Sequence, residues 1–153
     1  MNFQSSSFNI DNFISQANYR GYRIVFYGDD TWLKLFPNHF SRYEGVNSFF
    51  ASDYIEVDDN VTRNVENELK RKDWDIMILH YLGLDHIGHI EGPSSFLVRP
   101  KLREMDLVIQ KKAQHLKKLV REHFLQLLIG KQKFIIFFFF LFNRKVKKIL
   151  RQC

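Results

Sequence analysis

Asp85 and His89 are the two residues whose types and spacing best suit chemistry, and they follow directly on a short apolar run. A carboxylate and an imidazole four positions apart can converge on one divalent cation, and Zn²⁺ is the usual choice for mixed oxygen and nitrogen ligands. Gly83 and Gly88 would let a tight loop turn closely around the ion. The same residues also fit a structural interpretation, in which Asp85 caps a helix and His89 is an ordinary polar loop residue. The spacing leaves both interpretations open.

Two short apolar runs predict the strands that position these residues. Residues 22–27 and 75–82 are near-continuously apolar, and each run is too short for an isolated helix. Helical periodicity occurs in residues 8–20 and in residues 61–71, where the acidic cluster at 58–60 offers an N-cap. The pattern predicts an α/β fold with a partial, doubly wound parallel sheet.

In such sheets, ligand-binding groups lie in the loops that follow the carboxyl ends of the strands. Asp29 and Asp30 follow the first predicted strand, as Asp85 and His89 follow the second. We therefore expect all four side chains at one edge of the sheet, with the two upstream aspartates as candidates for further metal ligands. His80 ends the second strand and is interpreted as a core histidine.

The positive charge of the chain is concentrated in residues 111–153. These residues contain 12 Lys and Arg against one acidic residue, whereas residues 1–110 contain 11 against 16. A basic protein often binds nucleic acid through phosphate contacts. Here the part that would fold is acidic, and we therefore expect no nucleic-acid partner.

The basic segment is predicted to be a helical tail that projects from the α/β body and packs poorly on it. Helical periodicity runs from residue 100 to about residue 129, and nine consecutive apolar residues follow at 134–142. Spanning a bilayer takes roughly 20 apolar residues, and extending this block backwards would bury Lys131 and Lys133. No clear transmembrane span is therefore predicted. One alternative is a small protein that binds anionic membranes through the basic and phenylalanine-rich tail.

Targeting signals are few. The sequon that begins at Asn60 predicts a glycosylation site in an exposed loop if the chain enters the secretory pathway. The N-terminus lacks the basic start and apolar run of a signal peptide. Cys153 is the single cysteine, so cysteine usage gives no indication of compartment.

Several motifs resemble those of the GPI ethanolamine phosphate transferases, which belong to the alkaline-phosphatase superfamily. Residues 85–93 are similar to the D-x-x-G-H-x-x-G-P signature of the phosphodiesterase and phosphotransferase branch. Residues 23–37, 73–76, 48–50 and 53–54 are similar to segments of the transferases, most of all to those of the branch that modifies the second mannose. The resemblance implies an alkaline-phosphatase type of sheet over residues 1–110, followed by a tail at 111–153 that is foreign to the family.

The resemblance also implies a function. Enzymes of this family hold two zinc ions at the strand ends, and a threonine nucleophile passes phosphoethanolamine from phosphatidylethanolamine to a mannose of the GPI precursor. The implied location is the endoplasmic reticulum membrane, with a luminal catalytic domain and a membrane partner subunit. Asp85 and His89 would supply two ligands of one zinc ion, and Asp29, Asp30 and Trp32 would lie around the substrate.

Three parts of the family pattern have no counterpart in this sequence. These are the aspartate of the first strand, the nucleophilic threonine with its preceding segment, and a later Asp-His pair with a final histidine. Thr31 follows a Gly-Asp-Asp loop and does not lie in the nucleophile motif. The alternative expectation is therefore a catalytically incompetent fragment or a mispredicted product.

Overall fold

The computed structural model describes residues 11–47, 53–71, 73–122 and 134–139. Within these ranges the chain alternates between helices and strands, as a βαβ architecture requires. The elements are α1 (Phe13–Tyr19), β1 (Ile24–Asp29), α2 (Thr31–Leu35), β2 (Arg42–Val46), α3 (Glu56–Lys70), β3 (Ile76–Tyr81), α4 (Gly83–Ile90), α5 (Val98–Glu122) and β4 (Phe134–Phe139).

The strands form one parallel sheet in the order β2-β1-β3-β4. In its register, Tyr27 of β1 lies opposite Leu79 of β3 on one side and Glu44 of β2 on the other. The predicted parallel α/β sheet is therefore confirmed, and its two central strands are the two apolar runs. Their carboxyl ends lie side by side at one edge.

Helices cover both faces of the central strands, which confirms the doubly wound arrangement. One face buries alternate strand residues beneath α3 and α5, and the other buries the intervening residues beneath α1 and α2. The first core comprises Val25, Tyr27, Val61, Val65, Leu69, Trp74, Met77, Leu79, Tyr81 and Met105. The second comprises Ile14, Ala17, Ile24, Phe26, Phe36, Phe40, Ile76 and Ile78.

The prediction of a helical projecting tail is only partly correct. Helix α5 confirms the predicted amphipathic helix as far as Glu122, but the phenylalanine block contributes β4, which pairs with β3 from Ile76↔Phe134 to Tyr81↔Phe139. Aromatic and β-branched residues such as these are common in strands. Residues 140–153 lie outside the described ranges, and the division of the chain at residue 110 stays a prediction. No helix in the described part of the chain combines the length and apolar character needed to cross a membrane.

Gly28 occupies the closest approach between β1 and β3. A Cβ atom there would lie 2.5 Å from His80 Cβ and 2.7 Å from the His80 carbonyl oxygen, and its φ is +151°. Gly28→Ala is expected to lower the free energy of unfolding by about 2–4 kcal/mol through this overlap and backbone strain. Urea denaturation measures the change.

Gly88→Ala is the matched control for this substitution. Gly88 lies in α4, and a Cβ atom added there would meet no other group within 4 Å, so alanine is expected to raise stability by about 0.5–1 kcal/mol. Equal effects of the two substitutions would show that the β1–β3 contact does not require glycine.

Candidate functional site

Asp85 and His89 lie on one face of helix α4, which begins two residues after β3 ends. The prediction of a tight loop for residues 83–89 is therefore wrong. Leu84 and Ile87 are three positions apart and pack with Val98 of α5 in a small core, and this helical spacing of buried side chains favours a helix. The four-residue spacing of the two candidate ligands is retained, but a helical turn brings them together.

The two side chains are close, and the pair extends from the interior to the surface. His89 Nε2 lies 3.4 Å from Asp85 Oδ2, with the Asp85 side chain 15% exposed and the His89 side chain 55% exposed. Asp85 Oδ1 is buried and has no hydrogen-bond partner among the described residues. Burial raises the pKa of the Asp85 carboxyl, while the charges of His89 and His86 oppose that rise.

This donor set fits a zinc ion. A desolvated carboxylate oxygen without a hydrogen-bond donor is costly unless a cation satisfies it, and the adjacent imidazole supplies the nitrogen ligand that zinc favours. In the part of the chain that the structure describes, no cluster of three or more His, Cys, Asp and Glu side chains is placed to hold a metal. A catalytic zinc normally takes three protein ligands, so Asp85 and His89 alone would not complete such a site, and their role as metal ligands stays a prediction.

The two neighbouring histidines, His86 and His80, are both buried in the fold. His86 is buried, and its Nδ1 lies 2.6 Å from the backbone carbonyl oxygen of Asp53. His80 is 2% exposed in the core, as predicted, and burial lowers its pKa to about 4, which leaves it neutral at physiological pH. The negative charge of Asp29 partly opposes this lowering of the His80 pKa.

The predicted loop after the first strand is a direct junction, in which Asp29 ends β1, Asp30 is the N-cap of α2 and Trp32 lies in α2. Asp29 Oδ1 accepts a hydrogen bond of 2.9 Å from the Thr31 backbone N–H, and Asp30 forms an ion pair of 3.0 Å with Lys34. The Trp32 ring stacks on Phe26 at 5.6 Å. These contacts hold the junction of β1 and α2 at the carboxyl edge of the sheet, and a role of Asp29, Asp30 and Trp32 around a substrate stays a prediction.

Asn60 lies in α3, so the expectation that the sequon occupies an exposed loop is wrong. Its Nδ2 donates a hydrogen bond of 2.6 Å to Glu44 Oε1 of β2. The following Val61 is fully buried, which explains why the helix continues through the sequon. Glycosylation of Asn60 stays a prediction.

Asp58 is a residue of this site that the sequence pattern did not single out. The cluster at 58–60 was predicted to cap its own helix, but α3 begins at Glu56, and the Asp53 carboxylate accepts from the backbone N–H of Glu56. Asp58 instead points across the fold, and its Oδ1 accepts hydrogen bonds from the backbone N–H groups of Leu82 and Gly83. The available signal was the position of Asp58, which is three and seven residues before Val61 and Val65 and therefore lies on the apolar stripe of the predicted helix.

The chain is similar to proteins of one family. The type I phosphodiesterase / nucleotide pyrophosphatase family matches residues 5–129. GPI ethanolamine phosphate transferase 2, catalytic subunit, of Homo sapiens is 62% identical over 110 residues, which is 72% of this chain and 11% of the human protein. The GPI ethanolamine phosphate transferase 2 proteins of Eremothecium gossypii and Schizosaccharomyces pombe are 59% and 56% identical, over 65% and 66% of this chain.

The chain spans only 11–14% of the length of these three relatives. No solved structure matches it. The family match nevertheless covers the whole described α/β unit as far as Glu122, including both central strands and the Asp85–His89 pair. From this match we conclude that the chain belongs to the type I phosphodiesterase / nucleotide pyrophosphatase family.

Proposed function

We propose that this chain supplies part of the zinc centre of a GPI ethanolamine phosphate transferase. In this proposal the complete enzyme moves phosphoethanolamine from phosphatidylethanolamine to the second mannose of the GPI precursor. The observation that carries the proposal is the buried Asp85 Oδ1, which has no hydrogen-bond donor among the described residues, beside the His89 imidazole. The 62% identity to the human transferase over 110 residues supports the choice of reaction.

The two proposed ligands have different tasks. A bound zinc ion supplies Lewis-acid charge that stabilises the attacking and leaving oxygens of a phosphoryl transfer. Asp85 provides a negative charge from a largely desolvated position in the first turn of α4, where the helix dipole favours an anion. His89 is more than half exposed, so its ring would be open to a metal ion and a substrate.

The remaining parts of the machinery belong to other segments of the proposed enzyme. The threonine nucleophile and the further metal ligands of the family pattern would complete the site around Asp85 and His89. The human relative is named a catalytic subunit, which supports a partner subunit for the complete protein, and we propose that this partner is a membrane protein. We place the catalytic domain in the lumen of the endoplasmic reticulum, where GPI precursors receive phosphoethanolamine.

Zinc titration of the full chain tests the metal site. We expect Zn²⁺ to shift the imidazole nitrogen resonances of His89 in long-range ¹H–¹⁵N NMR spectra, with weak affinity because only two protein ligands are present. Cys153→Ser removes the single thiol, which would otherwise compete for zinc. Asp85→Asn is expected to weaken the His89 response at least about tenfold, because it removes the anionic ligand.

Glu91→Gln is the control for the loss of one acidic residue near α4. Glu91 is exposed at the end of this helix and is expected to leave the titration unchanged. A response of His89 that Asp85→Asn leaves intact would contradict the paired site. So would an equal response of all the histidines.

A further inference from the structure

Asp58 connects helix α3 to the start of the helix that carries the candidate zinc ligands. Its side chain is 1% exposed, and Oδ1 accepts hydrogen bonds of 3.0 Å from Leu82 N–H and 2.9 Å from Gly83 N–H. Leu82 is the N-cap residue and Gly83 the first residue of α4, and backbone N–H groups at these positions have no partner within the helix. One buried carboxylate oxygen therefore satisfies two of these groups.

A buried lysine fixes the second oxygen of this carboxylate. Lys101 of α5 is 4% exposed, and its Nζ lies 3.2 Å from Asp58 Oδ2 and 3.0 Å from Glu104 Oε1. A charge buried to this degree is tolerated when it is paired and hydrogen-bonded. The arrangement ties α3, α4 and α5 together at the point where β3 ends.

The backbone of α4 is shaped to accept this carboxylate. A Cβ atom on Gly83 would overlap Asp58 Oδ2 and would lie 2.5 Å from the Tyr54 carbonyl oxygen. Glycine at position 83 thus serves the close approach of the Asp58 side chain, and it does not serve a turn around a metal ion as its position in the sequence had indicated.

We propose that Asp58 is a positioning residue that fixes the start of α4 and thereby the orientation of Asp85 and His89. Asp85 is two residues beyond Gly83, and successive residues of a helix are rotated by about 100° around its axis. A shift of α4 by one residue relative to Asp58 would therefore turn Asp85 away from its present direction. The metal part of this inference rests on the proposed function, whereas the anchoring of α4 does not.

Two double variants separate the hydrogen-bond acceptor from the buried ion pair. Asp58→Asn with Lys101→Met removes both charges and keeps an amide oxygen that can accept from Leu82 and Gly83. Asp58→Ala with Lys101→Met removes the charges and the acceptor. Glu68→Gln is the matched control, because Glu68 is another buried carboxylate of α3 with an ion-pair partner, and it contacts Tyr27 and Arg42 instead of α4.

Amide hydrogen exchange by NMR provides the readout that does not depend on metal. We expect the Asp58→Ala double variant to accelerate exchange at Leu82 and Gly83 at least about tenfold relative to the core strands, because their acceptor is lost. In the Asp58→Asn double variant and in Glu68→Gln, the exchange rates of Leu82 and Gly83 relative to the core strands should stay close to those of the unaltered chain. Zinc affinity at His89 should fall about 10- to 100-fold in the alanine variant and recover in the asparagine variant.

The outcomes distinguish this inference from the proposed function. Equal exchange at Leu82 and Gly83 in both double variants would overturn the positioning role, as would the same acceleration in Glu68→Gln. Unchanged zinc affinity in the alanine double variant would also overturn it. If the unaltered chain gives no zinc response, the proposed function fails, and the exchange rates alone still decide whether Asp58 fixes α4.

Discussion

Glu68→Ala is expected to lower the free energy of unfolding by about 2–4 kcal/mol, because it removes buried hydrogen bonds and leaves the partly buried Arg42 guanidinium dependent on its ion pair with the half-exposed Asp73. Glu68 is 3% exposed and accepts hydrogen bonds from Tyr27 Oη at 2.8 Å and from Arg42 Nε at 2.8 Å, while a second Arg42 nitrogen reaches its other oxygen at 2.7 Å. The substitution therefore removes a carboxylate that joins α3 to β1 and β2. It also leaves the buried hydroxyl of Tyr27 without its acceptor.

Urea denaturation of the full chain measures this loss. Asp59→Ala is the control on the same helix, because Asp59 is exposed and its replacement is expected to change stability by no more than about 0.5 kcal/mol. A loss below about 1 kcal/mol for Glu68→Ala, comparable to that of a surface ion pair, would contradict the structural role given to this network.

The same network predicts a loss of stability in acid. Burial raises the pKa of Glu68, but the hydrogen bonds from Arg42 and Tyr27 outweigh burial and hold the pKa below its ordinary value of 4.5. A carboxyl whose pKa is lowered on folding contributes stability above its unfolded pKa and loses it as the pH falls through the folded value. The difference in stability between the unaltered chain and Glu68→Gln should therefore shrink below pH 4.5, and urea midpoints across that range measure it.

The central strands of the fold were predictable because their residues carry the signal themselves. Ile24 to Tyr27 and Ile76 to Tyr81 are buried on both faces, so each strand has a near-continuous apolar sequence. Strand β2 gave no such signal, because its residues Arg42 to Val46 are mostly exposed at one edge of the sheet. Its place depends on backbone pairing with β1, which leaves little trace in side-chain type.

Secondary structure was harder to predict where one segment can satisfy two patterns. The segment after β3 contains two glycines and has the composition of a loop, yet Leu84 and Ile87 bury one side of a helix against Val98. The phenylalanine block fits a buried helix and a buried strand equally well, because a continuous apolar run has no period. In both segments the neighbouring elements decide the structure.

The candidate ligands were predictable from spacing, but their support was not. Asp85 and His89 are four positions apart, and one helical turn brings their side chains together although the sequence predicted a loop. Asp58 lies 24 residues before Leu82, and Lys101 lies on a third helix. Contacts of this range arise from tertiary packing and follow no local periodicity.

A chimera tests most directly whether this chain is a working part of a phosphoethanolamine transferase. The matching segment of the human GPI ethanolamine phosphate transferase 2 would be replaced by the 110 residues of this chain that align with it. Cells that lack the human enzyme would express the chimera, and mass spectrometry of their GPI lipids would measure the added phosphoethanolamine. Asp85→Asn, His89→Ala and the control Glu91→Gln would be introduced into the same segment.

We expect the chimera and its Glu91→Gln variant to restore the modified GPI lipid. Asp85→Asn and His89→Ala should each lower the product at least about 100-fold at equal protein level, because a metal ion supplies several kcal/mol of transition-state stabilisation. An expressed chimera that forms no product would contradict the proposal that this segment serves the enzyme. Full product from the Asp85→Asn and His89→Ala variants would contradict the proposal that these two residues hold its metal.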